Sequence, residues 1–136
     1  MPLTLTVVTP ERSVVEGVPA ESVTLPGEGG ELGILPGHAA LVALLGVGIV
    51  AWTSGGRRGT VAVRGGFVQV ADDAVRVLAD HAIPRDAVDV TAARVEKAAA
   101  EARRMRVSGS EELDEANAEA AFAEAQLTAA AAPEKA

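Results

Sequence analysis

The stretch GTVAVRGGFVQVADDAVRVLA, Gly59 to Ala79, decides how the chain folds. Val61 and Val63, Val68 and Val70, and Val75 and Val77 each recur at a spacing of two, the period of a strand with one face buried. Arg64-Gly65-Gly66 and Asp72-Asp73 separate the three runs, and residue types that tolerate left-handed backbone suit tight reversals. The reading is a meander of hairpins with a turn at each separator.

Working outward, the same kind of run recurs in LTLTVV (3–8), ESVTL (21–25), ALVALL (40–45) and GIVAWT (48–53), with Ser54-Gly55-Gly56 as a further reversal. About eight short strands in the first 85 residues, with no segment of helical period among them, predict an all-β sandwich or flattened barrel of antiparallel strands.

The chain changes character after Ile83-Pro84-Arg85-Asp86. Thirteen of 14 glycines precede residue 88, whereas residues 90–136 hold 17 alanines in 47 positions. Pro84 interrupts the sheet, and Asp86 or Asp89 can cap a helix by accepting from free backbone amides. From Val88 to Arg106 the pattern is helical, with Val88, Ala92, Val95, Ala99 and Ala102 as its apolar stripe. Gly109 suits a left-handed stop, and Ser108 with Glu111 has capping-box spacing for a second helix through about Ala131. Its stripe is Leu113, Ala116, Ala120, Ala123 and Leu127. The expected organisation is a β-sandwich domain, residues 1–86, followed by a two-helix hairpin domain, residues 87–136. Alanine stripes bury little area, about 0.8 kcal/mol for each methyl. The hairpin is therefore expected to be held weakly and to be able to move.

Composition narrows the function. Aromatics are nearly absent (Trp52, Phe67, Phe122), so there is little to stack on bases, and a formal charge of -7 repels a phosphate polyanion. No nucleic-acid role is expected. Without cysteine there are no disulfides, thiolate chemistry or Cys-ligated zinc. MPLTLTVVTPERSVVEG does not read as a secretory signal, and the longest apolar run, Ala39 to Trp52, has 14 residues, too few to span a bilayer. A soluble chain is expected.

The segment GELGILPGHAALVALLGVG, Gly30 to Gly48, clusters Glu28, Glu31 and His38 on or beside a glycine-rich loop, where binding residues tend to sit. It carries no lysine and leads into strand-like residues, which argues against a phosphate cradle. His38 and His81 have no partner at metal-helix spacing, so no metal is expected, and Ser54 and Ser108 lie in no nucleophile motif. Intrinsic catalysis is not expected. The helices are split in charge: Val88 to Arg106 has five bases (Arg94, Lys97, Arg103, Arg104, Arg106) against three acids, and Val107 to Ala136 has one base against seven acids. Either the charges form a solvated face with local pairs, or the bases form a tip for an acidic partner. From composition alone, a free-standing β-sandwich adaptor with a helical interaction tail fits these features.

GELGILPGHAALVALLGVG, followed by GGFVQV and VRVLADHAI before an Ala-rich tail, resembles the epsilon subunit of F-type ATP synthase, whose mitochondrial counterpart is called delta. The resemblance covers essentially the whole chain. It implies a ten-strand flattened sandwich with a helical hairpin, serving as a non-catalytic rotor component that fastens the gamma subunit to the ring of c subunits. It implies that Glu28, Glu31 and His38 dock on the ring, and that the protein sits peripherally on the cytoplasmic face of the bacterial inner membrane, touching it only through the complex. It further implies that the hairpin can extend into the head of alpha and beta subunits and restrain ATP hydrolysis, with Arg94, Lys97, Arg103, Arg104 and Arg106 facing an acidic segment of beta. The second helix lacks the bases of inhibitory members, so a weak or conditional brake is expected. Some members bind ATP through Ile/Leu-Asp-x-x-Arg-Ala. Here Val88, Asp89 and Ala93 align with that motif, but Ala92 takes the arginine position and Arg94 comes two residues late, on another helix face. Tight ATP sensing, and hence a regulatory cofactor, is not expected.

Overall fold

The computed structural model describes residues 2–133; Met1 and residues 134–136, the last of the expected helical domain, lie outside the described residues. Eight strands come first: β1 (Leu3–Val8), β2 (Ser13–Ala20), β3 (Ser22–Gly27), β4 (Gly30–Ile34), β5 (Leu41–Leu44), β6 (Val47–Ser54), β7 (Arg57–Ala71) and β8 (Ala74–Pro84). A 3-10 turn (Arg85–Ala87) leads to α1 (Val90–Arg104) and α2 (Ser110–Ala131). The strands run β2-β1-β8-β7-β6-β3-β4, with β5 also on β7, so the sheet is an open sandwich rather than a closed barrel. One pair is parallel, β1 with β8; the others are antiparallel.

The Arg64-Gly65-Gly66 separator is not a turn. It lies inside β7, which continues through it in one register against β8. The inward residues change parity there, from Val61 and Val63 to Val68 and Val70, because Gly65 and Gly66 take φ of 72° and 110° and bend the strand. A Cβ on Gly66 would overlap the Leu78 carbonyl, so a side chain is excluded at the bend. The first half of β7 pairs with β6 and the second half with β5. β8 bends with it, its buried residues passing from Val75, Val77 and Ala79 to Ala82. Two long strands thus serve both layers, which is why eight strands occupy the place of the ten that the resemblance implied. Asp72 and Asp73 form the expected hairpin turn, both left-handed at φ 50° and 62°.

The strands β2 and β4 did not stand out in the sequence. Both are edges, paired on one side only, and Gly17, Pro19, Gly30 and Gly33 dilute their apolar pattern. The core between the layers comes from Leu3, Leu5, Leu25, Ile34, Val50 and further valines, all essentially inaccessible. Each buried side chain of this size contributes roughly 1.5–3 kcal/mol, which carries the sandwich with one aromatic, the partly buried Trp52, packed against it.

The helices differ in detail from the expectation. Asp89 caps α1, its carboxylate accepting from Ala92 N at 2.9 Å. Gly109 is the N-cap of α2 with extended backbone, not a left-handed stop, and no side-chain hydrogen bond from Ser108 closes a capping box. In α1 the expected stripe is the wrong face: Ala93 and Ala100 are buried, while Val95, Ala99 and Ala102 are exposed. With alanine on every side, periodicity carried no preference between faces. In α2 Ala116, Ala120 and Ala123 are buried as expected, and Ala125, Gln126 and Ala129 join them because α2 is covered both by α1 and by the sheet.

Candidate functional site

The outer face of the sandwich layer containing β6 and the first half of β7 receives α2. Thr60, Ala62 and Arg64 alternate outward there, opposite the inward Val61 and Val63. Ala62, Ala125 and Ala129 form a small buried cluster with Ile49 and Phe122 packed against it. Thr60 Oγ1 donates to the Ala129 carbonyl at 3.0 Å, in a buried position. Arg85 donates to the Ala132 carbonyl at the end of α2, and Arg64 pairs with Glu115 near its start at 2.7 Å. The Phe122 ring meets His81 with centroids 6.3 Å apart. The hairpin is thus seated along α2, while α1 rides on α2.

The five bases of the first helix do not form one free tip. Lys97 Nζ lies 2.7 Å from Glu124, Arg103 Nη2 lies 2.6 Å from Glu119, and Arg104 donates to Asn117 Oδ1 at 3.3 Å. Arg94 and Arg106 make no ion pair or side-chain hydrogen bond among the described residues. The hydrogen bond and charge of Glu124 raise the Lys97 pKa above its ordinary 10.5. The hydrogen bond from Arg64, with its charge, holds Glu115 below the ordinary 4.5.

The residues expected to dock on a ring are dispersed. Glu28 lies in the β3–β4 turn, its amide donating to Leu44 O at 2.9 Å. Glu31 is on the edge strand β4 rather than in a loop, and lines a cleft with Arg58 and Glu124 beneath α2. His38 is exposed at another place, in a turn tied to the β7–β8 hairpin by Gly37 N donating to Asp73 Oδ1 at 2.7 Å. Its Nδ1 lies 2.6 Å from the Ala39 carbonyl, which only accepts, so Nδ1 carries the proton.

Asp89 spends its carboxylate on the α1 cap. Arg94 lines a second cleft with Arg58, Val90, Leu127 and Thr128, while Ala92 supplies no guanidinium.

One feature escaped the sequence. On the face of the other layer, away from α2, Leu44 stands opposite Phe67, Phe67 opposite Leu78, and Leu78 opposite Val8. Val42 and Leu44 are 69% and 59% exposed, and Phe67 is 37% exposed. The strand period did not show which parity faced out, since β5 carries apolar residues on both sides.

Residues 2–85 match the family described as ATP synthase, Delta/Epsilon chain, beta-sandwich domain. The chain belongs to that family. An ATP synthase epsilon chain of Symbiobacterium thermophilum is 40% identical over 126 residues, covering 92% of this chain and 88% of the relative. One of Solibacter usitatus is 41% identical over 133 residues, covering 98% and 97%. A chain in the Euglena gracilis mitochondrial ATP synthase structure superposes with a TM-score of 0.78 at 24% identity, covering 95% of this chain and 81% of that one, and shows the shared fold. As an epsilon-type chain the protein is a non-catalytic subunit of the ATP synthase. The free-standing adaptor has no support against this membership. No helix among the described residues is long and apolar enough to cross a membrane.

Proposed function

We propose that the sandwich is the anchor of this epsilon-type subunit and the hairpin its regulatory arm, with a functional boundary at residues 86/87. The observation that carries the reading is the exposed row of Val42, Leu44 and Phe67. A rigid sheet face with adjoining large apolar side chains gains by burial against a partner, whereas single exposed hydrophobics do not call for one. The partner that fits is the gamma subunit, leaving Glu28, Glu31 and His38 as contacts toward the ring of c subunits. Through these two attachments the protein sits peripherally at the membrane, on the cytoplasmic face in a bacterial cell.

The hairpin lies on the opposite face, so it can leave its seat without disturbing the anchor. Once extended toward the alpha and beta subunits, Arg94, Lys97, Arg103, Arg104 and Arg106 face an acidic segment and slow ATP hydrolysis. The seat is small, and a modest free-energy gap allows partners to shift the population. Leu44→Asp with Phe67→Asp tests the anchor, since both side chains are on the surface and the fold survives. The double variant is expected to lose copurification with gamma. Retention of gamma at full stoichiometry would remove this face from the interface.

A further inference from the structure

In the docked hairpin, α2 supplies partners for three cationic residues of α1, one of which, Lys97, also has Glu101 of its own helix at 4.0 Å. Glu124 meets Lys97, Glu119 meets Arg103 and Asn117 meets Arg104, in one antiparallel register along the two helices. The three partners on α1 span 97 to 104 and those on α2 span 124 back to 117, so the spacing matches along the whole contact. Between Ser110 and Ala132 there is no basic residue at all. Glu115, one turn from Glu119, is taken by Arg64 of the sheet, so the same helix face ties α2 both to α1 and to its seat.

We propose that Glu119 and Glu124 are a resident imitation of an acidic protein segment, and that they mask the interaction surface of α1 while the hairpin is docked. With a carboxylate already 2.7 Å from Lys97 and 2.6 Å from Arg103, a second acidic segment gains less from these two bases than it would from bare ones. The surplus negative charge of α2 also repels an approaching acidic peptide. Swinging α2 away frees Arg103 and leaves Lys97 with only the longer, 4.0 Å pair to Glu101 on its own helix, so α1 gains affinity for an acidic partner after opening. Arg94 and Arg106, without an ion pair in the docked hairpin among the described residues, supply a weak first contact. The proposal rests on the brake reading above for its biological partner, but the masking itself is a property of this chain.

The test uses the full chain at low salt with labelled oligoglutamate as probe. Glu119→Gln with Glu124→Gln breaks the pairs and keeps the bases. Lys97→Gln with Arg103→Gln breaks the same pairs and removes the bases. Glu111→Gln with Glu112→Gln lowers the charge of α2 equally without touching a pair. The first variant is expected to bind about fivefold tighter than the third, taking exposed ion pairs at mid-range strength, and the second to bind more weakly than the unaltered chain. Equal binding by the first and third variants would overturn the masking, because net charge alone would then explain the gain. In parallel, the first variant should slow ATP hydrolysis by an epsilon-depleted head more than the unaltered chain does. A gain in oligoglutamate binding with no slowing by any chain supports the masking and removes the brake. Slowing by the unaltered chain without a gain in probe binding keeps the brake and overturns the masking.

Discussion

Replacing Phe122 by alanine removes the phenyl ring that α2 brings to the sandwich, where it packs against the cluster containing Ala62 and against the His81 ring. A fully buried Phe→Ala change costs about 3–5 kcal/mol. Phe122 is half-buried, so about 2 kcal/mol is expected here. The rest of the seat is a buried hydrogen bond from Thr60, about 1 kcal/mol, the alanine methyls at about 0.8 kcal/mol apiece, the exposed Arg64–Glu115 pair and the hydrogen bond from Arg85 to the Ala132 carbonyl. Losing Phe122 therefore removes a large share of what holds α2 down, and the undocked population rises ~30-fold at 1.36 kcal/mol per factor of ten. Amide hydrogen exchange on the intact protein reads this directly, because local opening exposes α2 amides while the sheet stays closed. The α2 amides are expected to exchange ~30-fold faster with those of β7 and β8 unchanged. Unchanged α2 exchange would refute the packing argument, and equal acceleration in the sheet would refute independent movement of the hairpin.

Docking of α2 on the sheet should also follow Glu115, and closure of α1 on α2 should follow Lys97. Glu115 is held below its ordinary pKa, so its contribution is present above about 4.5 and is lost as pH falls through the lowered value. Lys97 is held above its ordinary value, so its contribution is complete below about 10.5 and is lost as pH rises through the raised value. The α2 exchange rate, corrected for intrinsic chemistry, is therefore expected to be flat between about pH 4.5 and about 10.5 and to rise only beyond them; a step near neutrality would contradict this. Equilibrium dialysis with millimolar ATP is expected to show no saturable binding, because Ala92 leaves the phosphates without a bidentate partner. Saturation would show that Arg58 and Arg94 suffice.

Much of this was legible in the sequence because valine at a spacing of two states the strand period plainly. The parity change from Val61 and Val63 to Val68 and Val70 was visible too, but a glycine pair between the runs permits either a reversal or a bend. Only pairing with β5 and β6 decides between them. Edge strands with glycine and proline were faint, since one unpaired side relaxes the demand for apolar residues. In the helices the limit was alanine itself, which forms helix well but marks no face. For the site, charges could be counted along the chain, yet their pairing across the hairpin needed the antiparallel register of α1 and α2. The exposed Val42, Leu44 and Phe67 were hidden because a strand with apolar residues at every position does not show which parity faces out.

The central claim is that the sandwich anchors and the hairpin regulates. All residues of the main core lie between Leu3 and Ala82, so a chain ending at Asp86 keeps that core intact. Titrating an epsilon-depleted catalytic head with the full chain and with this shortened chain, while measuring both binding and ATP hydrolysis, tests the claim most directly. Both are expected to bind with gamma present, and only the full chain to slow turnover. Equal slowing by the two would place regulation in the sandwich, and failure of the shortened chain to bind would contradict the anchor.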